Sequence, residues 1–428
     1  MTRPANPAAA NFLGGAKSRL LPSSIPFRFF GGAVFFHLAF WCGVVWAAAE
    51  IPNFVIGPGR VLAVLHLLTL GVFAATAFGA AFQLLPVATK QPLRAEWPAR
   101  LVAWLLFPGV ALFAAGIAET LHVPAAIGGI LSAAGVMLAG ALLADNLARA
   151  RGMASVVAHG WAAVASLFAL AVLGFLLVVD QHHGLFASRN GIGATHAILA
   201  VYGFMGMLAL GFSYVLVPMF GLAPAPPARA ALASCALAVA GLVLGAGGAL
   251  LGEPAVLAAA AAAGLGAVAL HLRLMAGAMK ARMRKRLGPS FLLVRIAWAC
   301  LPASLILGAL MALDLWPWRA PALFGAVVLL GWLLTFVLGM LQRIVPFLAS
   351  MHASGPGRAP PLVSNLTAEG PLAIHRYCHF AAVAGLMAGI AGDWPIVIQV
   401  SGAIGAAGAA AFVWFFVGAL VRMRNAAR

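Results

Sequence analysis

Apolar residues run along this chain in long, nearly unbroken stretches, and polar residues gather in the short segments between them. Stretches of about 20 residues or more, enough to cross a bilayer as helix, fall at 27–49, 60–87, 98–118, 124–148, 155–179, 192–221, 228–251, 254–275, 290–313, 320–348, 371–391 and 394–421. The pattern predicts an all-α polytopic membrane bundle of twelve transmembrane helices. The polar segment 1–26 has no short apolar core with a small-residue cleavage site, so it is expected to be a cytoplasmic tail rather than a signal peptide. A second tail is expected at 422–428.

Within that pattern one skeleton appears three times. G-x7-G-x6-P is carried by Gly71, Gly79 and Pro86, by Gly203, Gly211 and Pro218, and by Gly331, Gly339 and Pro346. The copies stand 132 and 128 residues apart, in the second, sixth and tenth spans. Gly116, Gly248 and Gly389 follow them, each trailed within five residues by an acid, Glu119, Glu253 or Asp393. Self-similarity at a near-constant period marks a repeated architecture. The expected organisation is three four-helix units, 27–148, 155–275 and 290–421, related by approximate threefold symmetry about the membrane normal. The prolines are expected at inner helix ends, where a missing amide hydrogen costs little.

Composition fixes the medium. The chain is 64% hydrophobic and 8% charged, with mean hydropathy +1.04. A soluble domain carries about 25% charged residues, so the partner of this surface is the lipid bilayer. The net charge of +17 would suit nucleic acid, but its distribution gives it another meaning. Lys17, Arg19, Lys90, Arg94, Arg149, Arg151, Arg229, Lys280, Arg282, Arg284, Lys285, Arg286, Arg358, Arg422 and Arg424 all fall on one side of the predicted topology. The other side holds Arg60, Arg189 and Arg319 among most of the acids. The positive-inside rule then makes both termini cytoplasmic. The run KARMRKR at 280–286 is read as a topology anchor beside anionic lipid, and no nucleic-acid partner is expected.

Gly71 and Gly79 are eight residues apart, on one helix face and about 12 Å apart along the axis. In lipid, helices associate by close packing at small residues, so such a face admits either a neighbouring helix or a flat cofactor. Ionisable groups inside a bilayer are costly and are candidates for function. His37, His66 and His196 stand within spans, and His66 and His196 precede the first glycine of their repeats by five and seven residues. The loop into the sixth span adds His182 and His183. Neutral imidazoles from several helices suit haem iron, copper or zinc, while a lone membrane histidine also serves to bond a neighbouring helix. His375 and His379, at i and i+4 in the eleventh span, share a face. They fit either metal chelation or an interfacial helix end, with His352 and His159 on the same side. The four cysteines have no paired spacing, and the chain has no P-loop, GxSxG or HExxH motif.

Twelve spans, three four-helix arcs and H-x4-G-x7-G-x6-P on an inward-running helix resemble subunit I of the haem–copper oxidase superfamily. ATHAILAVYGFMGMLALGFSYVLVPMFG looks most like its nitric-oxide-reductase and cbb3-type branches. The resemblance implies a low-spin haem ligand at His66 and a copper ligand at His196, although no W-x-x-x-H-P-E-type sequence adjoins the latter. The family's helix 10 histidines are replaced in register by Phe324 and Ala326, and the seventh span has no histidine. The resemblance is therefore to a degenerate relative without a binuclear oxygen-reducing centre. The NnrS family of haem- and copper-containing membrane proteins offers a similar picture. The implied functions are electron transfer, nitric oxide handling or metal handling, with a redox partner or respiratory subunit. A transporter or a cofactor-free structural subunit on the same scaffold is the alternative.

Overall fold

The computed structural model describes residues 20–186, 188–316, 319–353 and 360–427. These residues form twelve principal helices and no strand. They are α1 (Ser24–Trp46), α2 (Arg60–Thr89), α3 (Trp97–Ala118), α4 (His122–Ala148), α5 (Ala154–His183), α6 (Arg189–Gly221), α7 (Ala228–Leu251), α8 (Pro254–Lys280), α9 (Ser290–Ala312), α10 (Ala320–Ala353), α11 (Glu369–Gly392) and α12 (Pro395–Ala427). Eleven are long and apolar enough to span a membrane. The exception is α11, which is long enough, but whose stretch IHRYCHF sets His375, Arg376 and His379 among its apolar residues.

The repeat skeleton lies on the three most enclosed helices. The apolar windows of α2, α6 and α10 are 67%, 67% and 78% buried, whereas no other candidate span exceeds 56%. Each of the three contains a π-helical stretch around its first glycine: Leu67–Ala74, Leu199–Gly206 and Ala326–Leu334. Such stretches are uncommon and concentrate at functional sites. Pro86 and Pro218 lie in the last turn of their helices, which end at Thr89 and Gly221, as expected, whereas α10 continues seven residues past Pro346 to Ala353. A proline deprives only the carbonyl four residues earlier of its usual partner, so a helix held by its neighbours continues past it.

The glycines explain the packing. A Cβ added at Gly71 would stand 2.5 Å from the Phe36 ring in α1. At Gly203 it would stand 2.5 Å from Ser166 Oγ in α5, and at Gly331 3.1 Å from Cys300 Sγ in α9. The second glycines behave alike: Gly79 meets Phe29 in α1, Gly211 meets His159 in α5, and Gly339 meets the Ser290 carbonyl in α9. In every copy the repeat helix therefore presses its small-residue face on the helix that precedes it.

The later glycines set a second recurrent contact. Gly116 abuts the backbone of Ala125, Gly248 that of Leu257, and Gly389 that of Ile398. The turn beyond each is the same: Leu121 N–H donates to Gly116 O at 2.7 Å, Glu253 to Gly248 at 2.9 Å, and Trp394 to Gly389 at 2.8 Å. Thr120, Gly252 and Asp393 take the left-handed conformation there, with φ of 54°, 68° and 53°. These hairpins, α3–α4, α7–α8 and α11–α12, are the most extensive helix pairings among the described residues. Further pairings join α4 to α5, α8 to α9 and α12 to α1, so the last helix returns to the first. At one end, Arg60, Arg189 and Arg319 each meet a carboxylate, Glu50 at 3.5 Å, Asp180 at 3.3 Å and Asp393 at 2.6 Å.

These contacts give a direct expectation. Gly116→Ala drives a methyl group into the Ala125 backbone and should destabilise the purified protein by about 1–3 kcal/mol, as overpacking does. Gly247→Ala, where a Cβ meets nothing within 4 Å, should leave stability unchanged or slightly raised. Unfolding of both variants in detergent, followed by circular dichroism, tests the difference.

Candidate cofactor-binding histidines

The structure sorts the histidines into three groups, differently from their order along the chain. The first pairs His66 with His196. His66 Nδ1 lies 2.9 Å from the Leu62 carbonyl one turn earlier in α2, and its ring meets Phe113 of α3 edge-on at 5.0 Å. His196 in α6 lies 2.8 Å by Nδ1 from the Leu170 carbonyl of α5. Gly174 makes this possible, since a Cβ there would come within 3.0 Å of His196 Cε1. The two imidazoles lie within electrostatic range of each other. A carbonyl only accepts, so both rings carry their proton on Nδ1 and keep a lone pair on Nε2.

The second group joins residues that the sequence puts at opposite ends of the chain. His37 of α1 lies 6.0 Å, ring to ring, from His375 of α11, which stacks on His379 at 5.7 Å. All three are at least 98% buried, and Phe412 of α12 packs against His37 and His375. The closing helix creates this meeting through its small residues. Gly405 receives the Trp41 ring, and Gly408 receives Cys378 Cβ beside the His375 carbonyl. Trp41 Nε1–H donates to His37 Nε2 at 3.1 Å, which puts the His37 proton on Nδ1. Thr335 gives its hydroxyl proton to Leu330 O at 2.7 Å, so at 2.8 Å it accepts from His379 Nε2–H. Gln342 approaches His375 Nδ1 at 3.5 Å. His37 Nδ1, His375 Nε2 and His379 Nδ1 have no hydrogen-bond partner. His37 thus sits with the α11 pair rather than with His66 and His196.

The third group surrounds Tyr214. His159 and His271 lie on its two sides, with ring centroids 5.4 and 5.1 Å away. His271 Nδ1 is 3.0 Å from the Tyr214 hydroxyl, and His159 Nδ1–H donates to Ser155 O at 2.7 Å. Both Nε2 atoms are buried without a partner. The sequence reading does not single out His271, although its position inside span 254–275 marks it as an intramembrane imidazole. It also passes over Gln83, which is 1% exposed with both amide atoms unpartnered.

The remaining candidates are dispersed. His183 ends α5 with an exposed side chain, and the side chain of His182 lies outside the described residues. His352 belongs to α10 and faces Phe27 of α1 at 6.2 Å. Among the described residues, no three or more His, Cys, Asp or Glu side chains form a group that could hold a metal ion by themselves.

Compared with known proteins, the chain matches no family model, and no curated protein sequence matches it. Its class is that of a helical, multi-pass membrane protein.

The Thr335 relay is directly testable. Thr335→Val keeps the shape but leaves His379 Nε2–H without an acceptor, which should cost about 1–3 kcal/mol of stability. Thr335→Ser should recover most of it. Thermal unfolding of the two variants beside the wild type measures the difference.

Proposed function

We propose that this is a protein of the bacterial cytoplasmic membrane that holds haem or copper through His66 and His196 near the periplasmic face. In this reading it resembles oxidase subunit I without the oxygen-reducing centre, and serves in electron transfer or in nitric oxide or metal handling, together with a redox partner. The observation that carries the reading is the common state of the two imidazoles. Each anchors Nδ1–H on a backbone carbonyl and leaves the Nε2 lone pair free, the arrangement used by metal-ligating histidines. A pair of histidines fits haem better than zinc. The macrocycle brings its own nitrogens, so one or two imidazoles complete the iron site, whereas structural zinc takes four protein ligands. Bound haem would supply one-electron chemistry and a site for a diatomic ligand; the chain's part is to orient the imidazoles and exclude water.

The same reading includes the architecture. α1–α4, α5–α8 and α9–α12 are three four-helix units about a pseudo-threefold axis along the membrane normal, with both termini cytoplasmic. It is supported by the recurrent glycine contacts, the three π-helical stretches and the three matching hairpin turns. A second reading, a transporter or structural subunit that uses the scaffold without cofactor, is favoured by an arginine-lined cavity at the opposite end of α6 and α10.

The deciding experiment is a reduced-minus-oxidised optical spectrum of protein produced with haem in excess, beside His66→Ala and His196→Ala. A Soret band lost or shifted in both variants is expected, or, in colourless protein, copper that both variants fail to retain. A featureless spectrum together with metal-free protein would overturn the reading.

A further inference from the structure

A cavity of about 650 Å3 opens where α6, α9, α10 and α11 end or begin on the side of the basic loop. Its charge is one-sided. Arg284, Arg286, Arg343 and Arg376 line it, against a single carboxylate, Glu369. None of the four arginines forms an ion pair among the described residues, although Arg60, Arg94, Arg100, Arg149, Arg189 and Arg319 do. Arg343 is the most informative. It lies within the α10 span, half-buried, with Nε donating to Ser290 Oγ at 2.9 Å. In repeat register its counterparts are Gln83 and Val215, so the cation belongs to the third copy alone and is no part of the shared scaffold. Charges kept inside membrane spans mark ligand or ion sites by default. The rest of the lining is mostly apolar, including Met219, Phe220 and Phe347, with Tyr214, Gln342, Ser290, Ser364 and Thr367 among it.

We propose that this cavity binds a phosphate-bearing anion, with Arg343 and Arg376 as the inner ligands and Arg284 and Arg286 at the exposed rim. Guanidinium groups match phosphate oxygens bidentately, and the volume falls within the range of small-molecule sites. The apolar walls suit a ligand with an apolar or planar body behind its phosphate. An anionic phospholipid headgroup and a soluble organic phosphate share that chemistry. The proposal stands independently of haem at His66 and His196, which lie toward the other end of α2 and α6.

The test uses the full chain in an uncharged detergent, titrated separately with inorganic pyrophosphate and with short-chain phosphatidylglycerol while the melting temperature is followed. A saturable rise is expected with at least one of them. Arg343→Gln should weaken the apparent affinity about tenfold or more, the loss expected when a hydrogen bond to a charged group is removed. Ser364→Trp leaves every charge in place but adds an indole at the edge of the cavity on its exposed 3-10 turn, and should weaken the rise. Arg424→Gln, an equal charge change outside the cavity, should not alter it. Stabilisation by phosphatidylglycerol alone assigns the site to lipid, and stabilisation by pyrophosphate alone to a soluble phosphate. Competition between the two assigns it to both. No saturable rise with either probe, or equal rises in wild type and Ser364→Trp, would overturn the proposal. Ser364 is exposed and distant from the core, so this variant decides the matter even where Arg343→Gln fails to accumulate.

Discussion

Helices in lipid gain no hydrophobic driving force from meeting one another, so a bundle there is held by how closely its backbones approach. In this protein that approach is made at three glycine registers. The first two set α2, α6 and α10 against the helices before them, and the third closes each following hairpin through a backbone contact and an identical turn. Gly402, Gly405 and Gly408 then let α12 lie against α1 and α11. That last contact assembles the His37, His375 and His379 group, since it seats Trp41 and the α11 backbone together. The meeting of these buried histidines is thus a consequence of small-residue packing.

On this recurring scaffold the polar residues differ from copy to copy. Thr335, which closes the π-helical stretch of α10 and receives His379, has Ala75 and Met207 as counterparts. Tyr214, which bonds His271, stands where α2 has Phe82 and α10 has Gln342. Arg343 replaces Gln83 and Val215. Each copy supplies similar backbone but different polar side chains. Fold-level likeness therefore says little of function, and the individual histidines say more.

Much of the frame was legible before any coordinates. Span 254–275 corresponds to Pro254–Lys280 and span 371–391 to Glu369–Gly392, because long apolar runs have few other outcomes. Gly116, Gly248 and Gly389 could be found as a repeat, because close backbone contact leaves only glycine room. The π-helical stretches had no such signal; LLTLGVFA and AVVLLGWLL read as ordinary apolar helix. Nor could the meeting of His37 with His375 be read, since the two are separated by nearly the whole chain and joined only when α12 returns to α1. Helix 10 was expected to stop soon after Pro346 and instead runs to Ala353, because its neighbours hold it beyond the proline. His196 was legible as an intramembrane imidazole, but its tautomer depends on the Leu170 carbonyl of another helix.

The central claim is that three equivalent units surround one axis. Leu121, Glu253 and Trp394 occupy the same place in the three hairpin turns and are exposed. Cysteine pairs at these positions, with Cys42, Cys235, Cys300 and Cys378 replaced, can be spin-labelled in lipid nanodiscs and measured by double electron–electron resonance. The account expects the three pairwise distances to agree within the breadth of their distributions, forming a near-equilateral triangle. One distance far longer than the other two would contradict it.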